Sequence, residues 1–316
     1  MRDPAIANEE QQEKSRSSRL LPPRPSSAAT SPEDAIAKKQ ARERKDAQVR
    51  GVTSIHAMRD AIRNAAQALP AIAVVPRLGL LDAAAFRLRA AQGLPFVITG
   101  LVGKWPLSTL TPQTLRERFG ALPVRARVGD YINTAFEPDR AMQDMTLLAY
   151  LELVANHAHD LPPYLGNLEL RQLNALCHWP VYFNKMGPPR FWLGPAGTVT
   201  PLHCDYDDNI FAQIWGSKRI FLSPPHHDAF LYPREANAIL FGSPFDPEAP
   251  DFEKFPLARE AAMIDCIMQP GELLYVPAGW YHQVRSLSFS LSANRWARAL
   301  PLALNGDMAL QAQPPD

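Results

Sequence analysis

Three residues carry the most chemical information in this 316-residue chain: His203, Asp205 and His282. The first two stand in the run Thr200-Pro201-Leu202-His203-Cys204-Asp205. In an extended strand, side chains i and i+2 share a face, so this imidazole and carboxylate point one way and Cys204 the other. A third ligand must come from elsewhere. His282 lies 79 positions later, just past the turn-forming Pro277-Ala278-Gly279. Two imidazoles and one carboxylate on one side of a metal leave open positions opposite, which suits non-haem Fe(II) and oxygen activation. Each part alone is a weak signal. An isolated His-x-Asp is more often a hydrogen-bonded pair, and a histidine among Trp280, Tyr281 and Val284 is more often a core residue. His226 and His227, beside Asp228, are the rivals for the third position. None of the other histidines has a carboxylate two residues away on a strand; His157 and His159 are read as ending a helix, where a cation suits the dipole.

Lys218, 13 residues beyond Asp205, is the second signal. It opens the apolar segment Ile220-Phe221-Leu222, where an ammonium is costly unless it snorkels or meets an anion. The bland reading is an exposed edge lysine. Beside a metal, a buried cation is what an organic diacid needs at its far end: one end chelates, the other makes a charge-assisted contact. The segments NIFAQIWG and KRIFLSPP are expected to pair as a hairpin about Gly216-Ser217, bringing Lys218 alongside Asn209, Phe211 and Gln213.

The elements that must position these residues change character along the chain. Ile55, Met58, Ile62, Ala66 and Leu69 recur at helical spacing. Asp82 starts a second helix closing near Gly93, and LPFVITGL reads as a buried strand. Thr111-Pro112 opens a third helix with Gly120 in the stop position. Val124, Ala126 and Val128 alternate with Arg125 and Arg127 as a half-exposed strand would. TLLAYLELVANH is a further amphipathic helix. After about residue 180, short β-prone segments follow one another, punctuated by Gly, Pro, Ser or Asp, as in a sandwich or barrel. The expected fold is mainly β with flanking helices (α+β), a barrel preceded by a helical region.

All 28 aromatic residues lie between Phe86 and Trp296. Residues 1–50, charged and Pro-bearing, have little to build a core and are expected to be a disordered tail. One domain is expected over 51–296, with a carboxy-terminal tail over 297–316. A net charge of +1 offers no global attraction to nucleic acid or an anionic membrane. Three cysteines without a CxxC pair point away from a disulfide framework. No apolar run approaches the roughly 18 residues a membrane span needs, and the charged amino terminus lacks a secretory pattern. A cytoplasmic chain with no membrane partner is the expectation.

The longer composite is more specific than any of its parts. TPLHCDYDDNIFAQIWGSKRIFLSPP, then DFEKFPLAREAAMIDCIMQPGELLYVPAGWYHQV and SLSANRW, resembles the cupin-like subgroup of JmjC-domain Fe(II)/2-oxoglutarate-dependent oxygenases. The pattern is similar to that of the asparaginyl hydroxylase acting on hypoxia-inducible factor. It covers roughly residues 72–296, including PFVITGLVGKWPLSTL and Tyr164-Leu165-Gly166. The resemblance implies a double-stranded β-helix (cupin or jelly-roll) barrel. It implies that His203, Asp205 and His282 hold Fe(II), and that Lys218, Thr200 and Tyr164 hold the distal carboxylate of 2-oxoglutarate. Asn209 and Asn294 become amides beside cosubstrate and metal, and Trp296 an aromatic packed near them. Fe(II), 2-oxoglutarate and O2 are the implied cofactors. The implied activity is hydroxylation, with release of succinate and CO2, of a protein or peptide substrate; RNA or a small molecule is the alternative substrate. The sequence leaves the oligomeric state open.

Two readings of a different class stand beside this one. A non-oxygenase cupin metalloenzyme would need no distal carboxylate clamp, and such cupins usually present His-x-His and Glu rather than His-x-Asp. A catalytically silent cupin-like binding module would keep the barrel without turnover.

Overall fold

Short β-branched and aromatic segments bounded by turn residues dictate the architecture, a barrel of two facing sheets. The structure, a computed structural model, describes residues 55–137, 140–156, 161–183, 185–237 and 240–297. These belong to a compact unit, Glu43–Asp316. The readings of residues 1–50 and 297–316 as tails, and of His157 and His159 as helix-ending cations, fall outside the described residues, except that Ala297 still belongs to a strand.

Helix α1 (Ile55–Ala66), strand β1 (Arg77–Leu78), helix α2 (Ala83–Ala90) and strand β2 (Phe96–Ile98) come first. Helix α3 (Pro112–Phe119), the hairpin of β3 (Pro123–Arg127) and β4 (Met142–Thr146), and helix α4 (Leu147–Ala155) follow. Next are β5 (Leu165–Leu168) and the short α5 (Arg171–Asn174). The helix starts are where capping chemistry puts them. The Asp82 carboxylate accepts from the Ala85 amide at 2.8 Å. Thr111 and Thr114 form a reciprocal capping box, and the Thr146 hydroxyl accepts from the Ala149 amide.

The barrel strands are β6 (Arg190–Gly194), β7 (Val199–Asp205), β8 (Asp208–Trp215) and β9 (Lys218–Ser223). Then come β10 (Arg234–Asn237), β11 (Leu240–Gly242), β12 (Ile264–Met268), β13 (Leu273–Val276), β14 (Tyr281–Ser286) and β15 (Ser290–Ala297). One sheet has the order β1-β2-β13-β8-β15-β6-β5, the other β10-β11-β7-β14-β9-β12. From β6 to β9, and again from β12 to β15, successive strands alternate between the two sheets. That alternation makes a double-stranded β-helix.

Three apolar layers hold it. Ile220, Leu222, Leu274, Val276 and Val284 fill the space between the sheets. Phe86, Phe96, Trp105, Tyr150, Ile210 and Leu291 pack the amino-terminal helices on the outer face of the larger sheet. Met58 and Ile62 of α1 pack with Leu202, Cys204 and Phe241 on the outer face of the smaller one. Strand β8 is therefore buried on both faces, which explains its near-continuous apolar run.

Two expectations fail here. Strands β8 and β9 do not form a hairpin: β8 pairs with β13 and β15, whereas β9 pairs with β12 and β14. The Gly216-Ser217 turn, with Gly216 at φ 62°, carries the chain from one sheet to the other. Both strands can then bury their inward faces against each other rather than edge to edge, and Lys218 arrives across the barrel from Phe211, its Nζ 5.7 Å from that ring. Arg127 is also not on a solvent face. Arg125 is exposed, but Arg127 keeps only 6% of its surface, because the end of β3 bridges to Tyr164 and turns the next face inward.

Candidate metal and cosubstrate site

The two candidate histidines are placed opposite each other by strand register. His282 on β14 pairs with His203 on β7, and their ring centroids are 4.2 Å apart. One ligand atom from each of His203, Asp205 and His282 lies within 4.8 Å of the others. The backbone also sets the tautomers. Nδ1 of His203 is 2.7 Å from the Pro201 carbonyl, and Nδ1 of His282 is 3.0 Å from that of Trp280. A carbonyl only accepts, so each Nδ1 carries the proton and each Nε2 keeps its lone pair. Burial, reinforced by His282, pushes the His203 pKa down to about 4, so the ring is neutral at pH 7 as a ligand must be. The Trp296 indole donates to Oδ2 of Asp205 at 2.9 Å and fixes that carboxylate.

The loop that delivers His282 is pinned at several points. Asp208 accepts from the Tyr275 hydroxyl at 3.0 Å and from the Ala278 amide at 2.9 Å. The Gly279 amide donates to the Asp205 carbonyl at 2.7 Å. Gly279 sits at φ 82°, and a Cβ there would lie 2.5 Å from Ile62 of α1. Only glycine meets both the left-handed backbone and the close approach of the helix.

Lys218 is fully buried. Its ammonium donates to the Ser292 hydroxyl at 2.9 Å and to the Tyr164 hydroxyl at 3.3 Å. Burial pushes the Tyr164 phenol up to about 12, and the neighbouring Thr200 hydroxyl acts to lower it. Among the described residues no carboxylate pairs with Lys218. Burial alone pushes its pKa down to about 7. A buried ammonium with three donors and two hydroxyl partners is an anion site in waiting.

Thr200 reaches this group through an irregularity. Three residues before His203, it would face the opposite side of a regular strand. The register of β14 on β7 shifts between His282 and Val284, so that two residues of β14 span three of β7. This bulge, at Pro201, turns Thr200 to the inner face. Across the barrel, Nδ2 of Asn294 donates to Oδ1 of Asn209 at 3.0 Å, while Oδ1 of Asn294 accepts from the Trp192 indole at 2.7 Å. Phe136 lies over His203, ring centroids 5.3 Å apart.

The rivals His226 and His227 lie on the turn Pro225–Leu231, away from the ligand cluster. Nδ1 of His227 accepts from the Ala262 amide, and Asp228 takes Arg59 and the Tyr281 hydroxyl. Cys204 is buried on the outer face, its thiol pushed up to about 12 by burial, so it is neither a ligand nor a reactive thiolate. Sequence reasoning missed Ser292, Trp192, Asp208 and Phe136. For Ser292 a signal existed: in SLSANRW it alternates with Asn294 and Trp296 and so shares their face.

Residues 83–301 match the cupin-like domain family. The chain belongs to that family. Among curated proteins, this cupin-like chain is similar to Lysine-specific demethylase JMJ30 of Arabidopsis thaliana, 41% identical over 133 residues (42% of this chain, 27% of that protein). It is similar to Jumonji C domain-containing protein 5 of Drosophila melanogaster, 32% identical over 176 residues (54% and 41%). It is also similar to the human bifunctional peptidase and (3S)-lysyl hydroxylase JMJD7, 30% identical over 166 residues (45% and 50%). The matched region thus spans half or less of each relative.

Proposed function

We propose that this cupin-like protein is an Fe(II)- and 2-oxoglutarate-dependent oxygenase that hydroxylates a protein side chain, with release of succinate and CO2. One observation carries the reading: a two-histidine, one-carboxylate cluster shares a barrel with a fully buried lysine that has hydroxyl partners and, among the described residues, no counter-ion. The residues fit the implied groups. His203 and His282 would offer Nε2 and Asp205 a carboxylate oxygen to the metal, the facial set that non-haem iron takes. Lys218, with Tyr164, Thr200 and Ser292, would solvate the distal carboxylate of the cosubstrate.

Held there, iron and 2-oxoglutarate would supply the oxidising chemistry, in which decarboxylation of the cosubstrate to succinate and CO2 takes one oxygen atom of O2 and the substrate C–H bond takes the other. The protein's share is placement. Trp296 holds Asp205, the Pro201 and Trp280 carbonyls hold the two imidazoles, and the Asn209–Asn294–Trp192 chain orients amide groups on the facing sheet. Val284 and Phe211 keep the interior apolar and restrict water. The names of two relatives, a lysine-specific demethylase and a lysyl hydroxylase, support a protein substrate. A cytoplasmic location belongs to the same proposal; no helix among the described residues is long and apolar enough to cross a membrane.

The experiment is anaerobic addition of 2-oxoglutarate to the Fe(II)-loaded protein, followed by admission of O2 and assay of succinate. A weak visible charge-transfer band, then Fe-dependent succinate, is the expected result. A non-oxygenase cupin would show neither, and a silent binding module would show the band without succinate under any substrate.

A further inference from the structure

The cosubstrate reading leaves one buried cation without a task. Arg127 retains 6% of its surface, yet among the described residues its guanidinium has no carboxylate partner, and its Nε has no hydrogen bond at all. It is held by faces instead of charges: Cζ lies 5.4 Å from the Trp192 ring and 5.8 Å from the Tyr164 ring. The place is built for it. A Cβ on Gly166 would come within 3.0 Å of both the guanidinium carbon and Trp192. Strand β3 is locked there, since the Arg127 amide donates to the Tyr164 carbonyl at 2.8 Å and the Tyr164 amide returns the bond at 3.0 Å.

The position adjoins the cosubstrate half of the site. Tyr164 carries Arg127 on its ring and Lys218 on its hydroxyl. A second cation adds to the field: burial, and then Arg140, disfavour the charged form of Arg127, and Arg140 donates from Nη1 to the Glu137 carbonyl at 3.3 Å while its Nε is buried without a partner. Two neighbouring guanidinium groups with no carboxylate partner among the described residues are unfavourable unless an anion arrives. The cosubstrate does not fill that need. Its two carboxylates are taken by the metal and by Lys218, which together with Asp205 leave the centre neutral. The charge of Arg127 remains over.

We propose that Arg127, backed by Arg140, is a specificity-determining residue that receives an oxyanion, a carboxylate or phosphate, on the peptide substrate. The inference rests on the oxygenase reading and deepens it. It separates this chain from the relatives named for lysine, because a cationic side chain entering here would meet two like charges. A peptide is favoured over a nucleic acid because the chain's net charge of +1 provides no wider polyanion surface.

The test loads the protein with Mn(II) and N-oxalylglycine, an unreactive cosubstrate analogue, and titrates it calorimetrically with ten-residue peptide libraries. Each library fixes a central Glu, phosphoserine, Gln or Lys. Wild type is expected to bind the Glu or phosphoserine library at least tenfold more tightly than the Gln library, and the Lys library most weakly. The better of the two acidic libraries identifies the oxyanion. Arg127→Gln should reduce that preference below threefold, Arg127→Glu should invert it toward Lys, and Arg127→Lys should keep its sign. No preference in wild type, no peptide binding, an unchanged preference in Arg127→Gln, or tighter binding of an RNA oligonucleotide than of every peptide would overturn the inference. So would a loss of N-oxalylglycine affinity in Arg127→Gln as large as in Lys218→Ala, which would place the guanidinium in the cosubstrate clamp. Failure of wild type to bind Mn(II) and N-oxalylglycine would bring down the oxygenase reading and this inference together; binding without acidic preference brings down the inference alone.

Discussion

Asp205, partly buried, and Lys218, fully buried, show how differently two charges in the barrel act. Asp205 is the one carboxylate among three candidate ligands, so Asp205→Ala should lower Fe-dependent succinate formation at least 100-fold while leaving the fold intact; circular dichroism beside the assay checks both. Lys218 costs the free protein stability. Its pKa in the fold, about 7, lies below its ordinary value of about 10.4. Between those two values the unfolded chain binds more protons than the native one, so the stability of the free protein should rise with pH from about 7 to about 10. The slope from this group is at most about 1.4 kcal/mol per pH unit. Below pH 7 both states carry the proton and the full penalty stands. Lys218→Met should remove this slope and stabilise the free protein at pH 6, while abolishing the gain from 2-oxoglutarate; denaturant titrations across pH measure both.

Among the elements, the turn before β14 is the tightest joint between the amino-terminal helix and the metal cluster. Gly279→Ala should destabilise the protein by about 2–4 kcal/mol, combining positive-φ strain with a clash on Ile62. It should also weaken Fe(II) binding, since the same turn aims His282; thermal denaturation and metal titration read the two effects. Ile62→Ala in the Gly279→Ala background should recover part of the loss. The elements were legible in the sequence wherever a local cause fixes them. Asp82, Thr111 and Thr146 cap helices because a side-chain oxygen two or three residues ahead of a free amide is a local matter. The inward face of His203 and Asp205 follows from strand alternation alone. Non-local causes stayed hidden. Whether Gly216-Ser217 closes a hairpin or passes between sheets depends on strand partners 42 to 89 residues away. The alternation of Arg125 and Arg127 reads as a wet strand edge until Tyr164 arrives to cover its end. The bulge at Pro201 brings Thr200 to the same side as His203, whereas counting by twos puts it on the other.

For the whole molecule, the barrel interior is a poor solvent for the charges it holds, and ligands should repair it. The histidine pair, the aspartate and the lysine are all carried by the smaller sheet, on β7, β14 and β9, so a ligand bridging metal and lysine ties those strands together beside Ser292 of the facing sheet. Mn(II) with 2-oxoglutarate, each at about 100 times its dissociation constant, should raise unfolding free energy by about 2.7 kcal/mol for each ligand bound. Either ligand in the Lys218→Met or Asp205→Ala background should give the smaller shift of the one that still binds. Differential scanning calorimetry at fixed pH reads this directly, and equal shifts in all three proteins would mean that the ligands bind outside the barrel.

The most direct measurement of the central claim is the visible spectrum of the anaerobic Fe(II) protein as 2-oxoglutarate is titrated in, for wild type and Lys218→Ala. A saturable charge-transfer band in wild type, requiring at least 100-fold more 2-oxoglutarate in the variant, is the predicted result. No band in wild type, or the same titration curve for both proteins, would contradict it.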